Sequence, residues 1–148
     1  MKAACRMYPY KLGAALILST ASLYCQAAEL VVHVDHVADA RGFVRVVVHR
    51  TEAGYLGDDT HGFRLGKVAA HRPGVTLRFD VPAGQYAIKA FHDENDNGKL
   101  DRNFFGAPTE AYGISNNARA RFSLPPFDQA LLEVGGAGTQ TQIDLGRH

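Results

Sequence analysis

The stretch "VTLRFDVPAGQYAIKAFHD", residues 75–93, decides the fold class. In its first half, apolar side chains at every second position alternate with polar ones, which is the pattern of a half-buried β-strand. Pro82 and Gly84 then mark a turn, and a second alternating run continues over 85–93. Two strands joined by a short turn are predicted here.

The rest of the chain after residue 28 has the same character, with valine-rich or alternating runs separated by Gly and Pro. No amphipathic helix of about ten or more residues is indicated there. About seven short strands in one domain predict an all-β sandwich or barrel. The further predicted strands are 29–36, 43–50, a short edge strand at 67–71, 129–134 and 139–146.

The connections between these strands are also predicted from the sequence. The turn "ADARG" (38–42) suggests that strands 29–36 and 43–50 form a hairpin or meander pair. Residues 51–66 are polar and hold four glycines, which indicates a loop. A longer irregular loop is expected over 93–128, where "ARARFSL" (118–124) is the candidate for a short strand or turn.

Residues 1–27 have the pattern of a secretory signal peptide. Three basic residues precede an apolar run, 12–24, and alanines at 27 and 28 suit cleavage. The run is shorter than the roughly 20 residues of a transmembrane helix, so an uncleaved anchor is the less favoured alternative. The prediction is a periplasmic or secreted protein whose β-sandwich domain is 28–148, with no stable membrane insertion after cleavage.

Charge and cysteine usage narrow the function classes. The predicted mature chain carries 13 basic and 15 acidic residues, a net charge of −2, without a basic run. Electrostatic binding of nucleic acid is therefore not indicated. Both cysteines, Cys5 and Cys25, lie in the predicted signal peptide, so no disulfide would stabilise an exported domain.

A calcium-type loop follows the 85–93 strand, in "DENDNGKLD", residues 93–101. Ca²⁺ takes six to eight oxygen ligands. In such loops, positions 1, 3 and 5 supply side chains, position 6 is glycine, position 7 supplies a backbone carbonyl, and position 9 often acts through water. Those positions are occupied, in order, by Asp93, Asn95, Asn97, Gly98, Lys99 and Asp101.

The calcium-type loop is incomplete at its end. Position 12 is Phe104 instead of a bidentate acid, and no flanking helices are predicted. The candidates for the missing carboxylate are Asp96, Asp101 and Glu110, the last only if the chain folds back. With two neutral amides among the ligands, a Kd of about 10⁻⁴–10⁻³ M is expected. The alternative is a metal-free turn, because Asn-Gly is a strong hairpin signal.

A second polar cluster lies in the same long loop and consists of Glu110, Tyr112, Ser115, Asn116 and Asn117. Polar groups on irregular backbone are common in binding sites. The favoured alternative is that these side chains hold the loop by hydrogen bonds to the backbone.

Residues 82–130 also carry longer motifs: P-x-G-x-Y-A, F-H-D-E-N-x-N-G-K-L-D, G-x-P-x-E-x-Y-G-x-S-N-N and P-x-F-x-x-A. On these motifs the chain resembles the bacterial family called domain of unknown function 2141, over nearly the whole mature part. Ala107 and Ile114 depart from the family pattern, where isoleucine and phenylalanine are expected. The resemblance implies an exported β-sandwich protein and implies no activity. The P-x-G-x-Y turn is also similar to that of prealbumin-like modules, at the level of the fold alone.

The predicted protein is therefore an Ig-like or prealbumin-like β-sandwich of Greek-key type that acts as a non-catalytic binding or structural module. The loops over 93–117 would face an unidentified protein or carbohydrate, and a monomer is expected. Calcium would order these loops. Its predicted ligands are Asp93, Asn95, Asn97, Lys99, Asp101 and Glu110. The rival hypothesis is a small periplasmic hydrolase that uses the carboxylates or His92 of the 92–117 loops.

Overall fold

The computed structural model describes residues 27–120 and 123–147. Apart from Ala27, the predicted signal peptide lies outside the described residues. Two short helices occur, α1 (Glu52–Leu56) and α2 (Phe127–Ala130), with 3-10 turns at Asp59–His61 and Ser115–Asn117. The strands are β1 (Ala27–Asp35), β2 (Phe43–His49), β3 (Arg64–Ala69), β4 (Gly74–Pro82), β5 (Gly84–Asp93), β6 (Tyr112–Ile114), β7 (Leu131–Val134) and β8 (Thr139–Asp144).

The strands form two sheets. The first has the order β4-β1-β8, in which β1 runs antiparallel to β4 and parallel to β8. The second has the order β3-β2-β5-β6, and β7 pairs with the first half of β5. All pairings in the second sheet are antiparallel. The prediction of an all-β sandwich is confirmed, with eight strands where about seven were expected.

The main core lies between the sheets because each strand directs alternate apolar side chains inward. On β5 these inward side chains are Tyr86, Ile88 and Ala90. They meet the valines at the even positions of β1 and β2, which are fully buried. The alternation seen in the sequence on β4 is also realised, since Leu77, Phe79 and Val81 are buried.

The predicted pairing of the strands at 29–36 and 43–50 is wrong. β1 has β4 and β8 as its neighbours, whereas β2 pairs with β3 and β5 in the other sheet. The turn between β1 and β2 therefore crosses the sandwich. Gly42 has a φ of 66°, and a Cβ there would lie 2.1 Å from the carbonyl oxygen of Asp93. This glycine allows the crossing chain to pass close to the end of β5.

Other element boundaries differ from the predictions. β3 begins at Arg64, within the predicted loop 51–66, which also contains α1. The long irregular loop contains β6, a three-residue strand on the edge of β5. The start of the predicted strand 129–134 belongs to α2. Residues 118–120 and 123–124 are not in a strand, and 121–122 lie outside the described residues.

β5 is buried on its outer face as well as on its inner face. Its outward side chains include Ala87, Lys89 and Phe91, and all three are buried. They are covered by the loops that follow β2 and β5. A second apolar cluster forms on this side from Tyr55 of α1, Ile114 of β6 and other residues. The long loop therefore packs onto the sheet, and this positions the candidate sites.

Candidate functional site

Asp93, at the end of β5, anchors the calcium-type loop from inside the protein. Its side chain is fully buried, and Arg45 Nε of β2 donates a hydrogen bond to Oδ2. The backbone N–H of Asn97 donates to Oδ1 at 3.0 Å and that of Gly98 to Oδ2 at 2.9 Å. Gly98 has a φ of 82°, which suits glycine at this bend. The charge of Asp93 is thus already balanced by Arg45.

Three other predicted ligands meet at the loop surface. The side-chain amides of Asn95 and Asn97 each donate to the carboxylate of Asp101 at 2.7 Å. The amide oxygens face inward, to the N–H of Asn97 at 3.1 Å and of Lys99 at 2.9 Å. Because the oxygen and nitrogen of an amide have nearly the same shape, turning both amides over would bring their oxygens beside Asp101.

Glu110 was a candidate ligand only if the chain folds back onto the calcium-type loop, and the chain does fold back in this way. Its carboxylate is buried and accepts hydrogen bonds from the backbone N–H groups of Glu94 and Asp101, each at 3.0 Å. The residue therefore joins both ends of the calcium-type loop. Asp96 turns away from the other candidates and pairs with Lys67 at 2.6 Å and Arg45 at 2.8 Å. The hydrogen bond from Lys67 holds the pKa of Asp96 below its ordinary value.

Among the residues that the structure describes, no group of three or more His, Cys, Asp or Glu side chains is arranged to hold a metal ion. The structure brings Asn95, Asn97 and Asp101 into contact, with Lys99 bound through its N–H. Asp93 and Glu110 flank them and are engaged by Arg45 and by backbone N–H groups. The calcium site remains a prediction.

The second polar cluster holds the long loop, as its favoured interpretation predicts. Ser115 Oγ accepts from the N–H of Ile88 at 2.9 Å and donates to the carbonyl of Ala130. Asn116 Nδ2 donates to the carbonyls of Gln129 and Leu131 at 3.1 and 2.7 Å. Asn117 Oδ1 accepts from the backbone N–H of Asp144 at 2.9 Å. These side chains replace backbone pairing where β6 ends.

A cleft of about 630 Å³ opens on the outer face of the second sheet. We call it the outer cleft. Its floor is the outward side of β5, and its walls are α1, β6, the 100–108 loop, Ala120 and residues 123–124. The residues that line it are Leu56, Gly57, Asp59, Lys89, Ala90, Phe91, Leu100, Arg102, Phe105, Gly106, Ala107, Pro108, Tyr112, Gly113, Ile114, Ala120, Ser123 and Leu124.

A group of polar side chains lies at and beneath the floor of the outer cleft, where Lys89 and Asp59 line the cleft and His49 and Tyr55 are buried next to them. Lys89 Nζ is 2.8 Å from Asp59 Oδ1 and lies 5.0 Å from the centre of the Tyr55 ring. His49 is 1% exposed, and its Nε2 is 3.7 Å from the same Asp59 oxygen, beyond hydrogen-bond distance. Neither ring nitrogen of His49 has a hydrogen-bond partner among the described residues.

The electrostatics of this floor follow from burial and ion pairing. Burial by itself raises the pKa of Asp59, but attraction to His49 and Lys89 outweighs it, so the pKa is lower than usual. Burial raises the pKa of Tyr55 to about 12. The Tyr55 hydroxyl donates to the carbonyl of Pro125 at 2.9 Å. At neutral pH the floor therefore holds an ionised Asp59 and a neutral Tyr55.

Sequence reasoning missed Asp59, His49 and Lys89 as site residues. The available signal was Lys89, a charged residue that stands between the apolar outward side chains of Ala87 and Phe91 on β5. Its partner Asp59 lies 30 residues earlier along the chain. No local spacing connects the two.

The residues of the hydrolase hypothesis do not converge on this cleft. His92 points into the sandwich, is fully buried, and contacts the carbonyl of Arg41 through Nε2 at 2.7 Å. Both Asp101 and Glu110 are engaged within the calcium-type loop, and neither lines the outer cleft. The geometry therefore does not favour that reaction chemistry.

Comparisons with known proteins identify a family. The model of the family described as "Uncharacterized protein conserved in bacteria (DUF2141)" matches residues 32–142. No curated protein and no solved structure shows significant similarity to the chain. In the part of the chain that the structure describes, no helix is long and apolar enough to cross a membrane.

Proposed function

The chain belongs to the DUF2141 family, and we propose that it is an exported, non-catalytic module that binds a small organic ligand in the outer cleft. The observation that carries this proposal is the cleft itself. Ligand sites are commonly concave, largely apolar and about 300–1,000 Å³, with a few placed polar groups. The outer cleft combines a volume of about 630 Å³ with apolar walls and the Asp59–Lys89 pair at its floor.

The walls of the outer cleft are held in place, which favours a binding site over a flexible surface. Ser115 and Asn116 tie the segment around β6 to β5 and to the α2 region. The 100–108 loop is held at its base, where the N–H of Thr109 donates to the carbonyl of Asp101 at 2.8 Å. A site whose walls are already ordered loses less conformational entropy on binding.

The test is a ligand screen by NMR on ¹⁵N-labelled protein beginning at Ala28. A mixture of acidic, basic and neutral aromatic fragments should shift the amide resonances of residues that line the outer cleft. Ala107→Trp places a large side chain on an exposed lining residue and should abolish these shifts. Ala137→Trp is the matched control, on an exposed turn outside the cleft. Shifts that are absent, or that survive Ala107→Trp, would overturn the proposal.

Export is part of the same proposal and is supported by the charged and apolar pattern of residues 1–27. Cleavage after Ala27 would remove one residue from β1 and leave its other eight paired with β4. The check is N-terminal sequencing of the protein recovered from the periplasm or medium of a bacterial host. A sequence beginning at Ala28 or Glu29 is expected, and retention of the full chain in the membrane fraction would contradict export.

Calcium binding at the 93–101 loop is a second candidate function. It is favoured by the contacts of Asn95 and Asn97 with Asp101, all at 2.7 Å. In this proposal both amides turn over and present their oxygens to the ion beside Asp101. Calcium would then order the loop that continues into the wall of the outer cleft.

Thermal unfolding with and without 10 mM calcium tests this candidate. A Kd of about 1 mM would stabilise the protein by about 1.4 kcal/mol under these conditions. Asp101→Asn keeps the shape of the side chain but removes its charge, so the response should disappear. Asp128→Asn, at an exposed acid outside the loop, should respond like wild type. An equal response of all three proteins, or none in wild type, would exclude the ion site.

A further inference from the structure

We propose that the ligand of the outer cleft is a monoanionic organic acid, with its carboxylate at Lys89 and Arg102 and an apolar body along the cleft wall. The inference rests on the proposed function, because it names the ligand class of the same cleft. Three features of the described residues carry it: hydrogen-bond donors at the floor that lack acceptors, the balance of charge in the lining, and the apolar wall.

The ammonium group of Lys89 has fewer acceptors than donors. It carries three N–H donors, and its side chain is only 10% exposed. Within residues 27–120 and 123–147, Asp59 Oδ1 is the one acceptor within hydrogen-bond distance. A buried donor without an acceptor is unfavourable. A carboxylate entering the cleft would supply the missing acceptors at the position where Lys89 lines it.

The charges that line the outer cleft do not cancel. Among the lining residues that the structure describes, Lys89 and Arg102 are cationic, and Asp59 is the one anionic residue. Arg102 makes one hydrogen bond through its guanidinium, to the carbonyl of Gly106 at 2.9 Å, so most of its donors remain available. The described part of the lining therefore has a net charge of +1. One negative charge on the ligand would neutralise it, whereas a cationic ligand would increase the imbalance.

The wall next to these cations is apolar. Phe91 and Ile114 are buried, and Leu100 and Leu124 are half-buried. Phe105 stands at the rim and is 90% exposed. Phe105 therefore continues the apolar lining of the cleft to its exposed edge. The ligand is thus expected to be amphipathic, with its apolar body between Phe105 and the floor.

Three probes of nearly the same shape test the inference by calorimetry: 4-phenylbutyrate, 4-phenylbutyramide and 4-phenylbutylamine. They carry a negative, a neutral and a positive head group. The carboxylate should bind about tenfold tighter than the amide, since charge-assisted hydrogen bonds are about twice as strong as neutral ones. The amine should bind more weakly than the amide. Added salt should weaken the carboxylate most.

Two variants test whether Arg102 and Lys89 contact the carboxylate of the ligand. Arg102→Gln changes an exposed residue and should reduce the preference for the carboxylate over the amide several-fold while leaving amide affinity unchanged. Lys89→Met should reduce the same preference further, and its fold is checked by circular dichroism because Asp59 loses its partner. Arg78→Gln, at an exposed β4 residue outside the cleft, is the control and should keep the full preference.

The outcomes separate the inference from the function on which it rests. A carboxylate preference that falls in Arg102→Gln and not in Arg78→Gln supports the inference. Equal binding of carboxylate and amide, tighter binding of the amine, or a preference that Arg102→Gln leaves intact would overturn it while the cleft remains a binding site. If no probe binds by calorimetry while neutral or basic fragments of the NMR screen shift the lining residues, the inference fails alone; if no fragment shifts them either, both proposals fail.

Discussion

The calcium-type loop and the outer cleft are both polar regions at β5, and they differ in how their polar groups are satisfied. In the loop, Asp93 and Glu110 accept hydrogen bonds on both carboxylate oxygens from groups of the protein. At the floor of the cleft, Lys89 has one acceptor among the described residues, and His49, which is buried beside Asp59, has no hydrogen-bond partner among them. Buried polar groups that lack partners are unusual. The comparison suggests that the loop serves stability and the cleft serves binding.

Among the variants that test this difference, Asp93→Ala is expected to lose the most free energy of unfolding. The substitution removes the fully buried carboxylate that Arg45 contacts and leaves Arg45 with Asp96 alone. It also removes the acceptor of the Gly98 N–H and one of the two acceptors of the Asn97 N–H. Breaking a buried pair on one side costs about 3–5 kcal/mol. Urea unfolding monitored by circular dichroism should show a loss of free energy of unfolding in this range. A loss below about 1 kcal/mol would show that the loop does not depend on its anchor.

Glu110→Gln should have the next largest effect. The neutral amide keeps one acceptor oxygen, so one of the N–H groups of Glu94 and Asp101 loses its bond. An unsatisfied buried donor costs about 1–3 kcal/mol, and the same urea experiment measures it. Glu133→Gln, at an exposed position on β7, serves as the control and should be within about 0.5 kcal/mol of wild type. Similar losses in both variants would show that the buried hydrogen bonds of Glu110 contribute no more stability than an exposed glutamate does.

Removing both charges of the cleft floor should cost less than either change in the loop. We expect the double variant Asp59→Asn with Lys89→Met to stay within about 1 kcal/mol of wild type, because replacing a whole buried pair is often neutral. Either single variant should be less stable than the double one. A double variant that loses about 3 kcal/mol would show that the floor serves stability, and the comparison between the two regions would fail.

The smallest effect concerns pH. The folded pKa of Asp59 is lower than its ordinary value of 3.8, so its pairing contributes stability that is fully present above about pH 4. The contribution is lost as pH falls below that value through the folded pKa. The difference in unfolding free energy between wild type and Asp59→Asn should therefore shrink between pH 6 and pH 3. A difference that grows as pH falls would contradict the assigned direction.

Several features of the fold could be predicted because they depend on local pattern. The alternation over 75–81 predicted β4, and the turn at Pro82 and Gly84 predicted its link to β5. The strands that pair with β1 could not be predicted in this way. Adjacent runs usually pair, but both edges of β1 are occupied by strands that lie far along the chain. Strand β6 was missed because it has three residues and is held by its contact with β5.

In the candidate sites, too, features that depend on a short segment could be predicted, and features that depend on distant segments could not. The spacing of Asp93, Asn95, Asn97 and Asp101 was enough to predict a loop whose side chains converge, since that depends on a short segment. The hydrogen bonds that Glu110 accepts from Glu94 and Asp101 depend instead on how the chain folds back between residues 101 and 110. The sequence did not indicate that Arg45, on another strand, would balance the charge of Asp93.

The sequence by itself thus determined the all-β class, the turn that joins β4 to β5, and the polar loop after β5, because each follows from the order of neighbouring side chains. The tertiary structure decided which strands share a sheet and which partners the buried charges have. It also brought Asp59, Lys89 and Arg102 to one cleft. These residues lie on separate segments, and only the packing of the loops after β2 and β5 onto the outer face of β5 places them together.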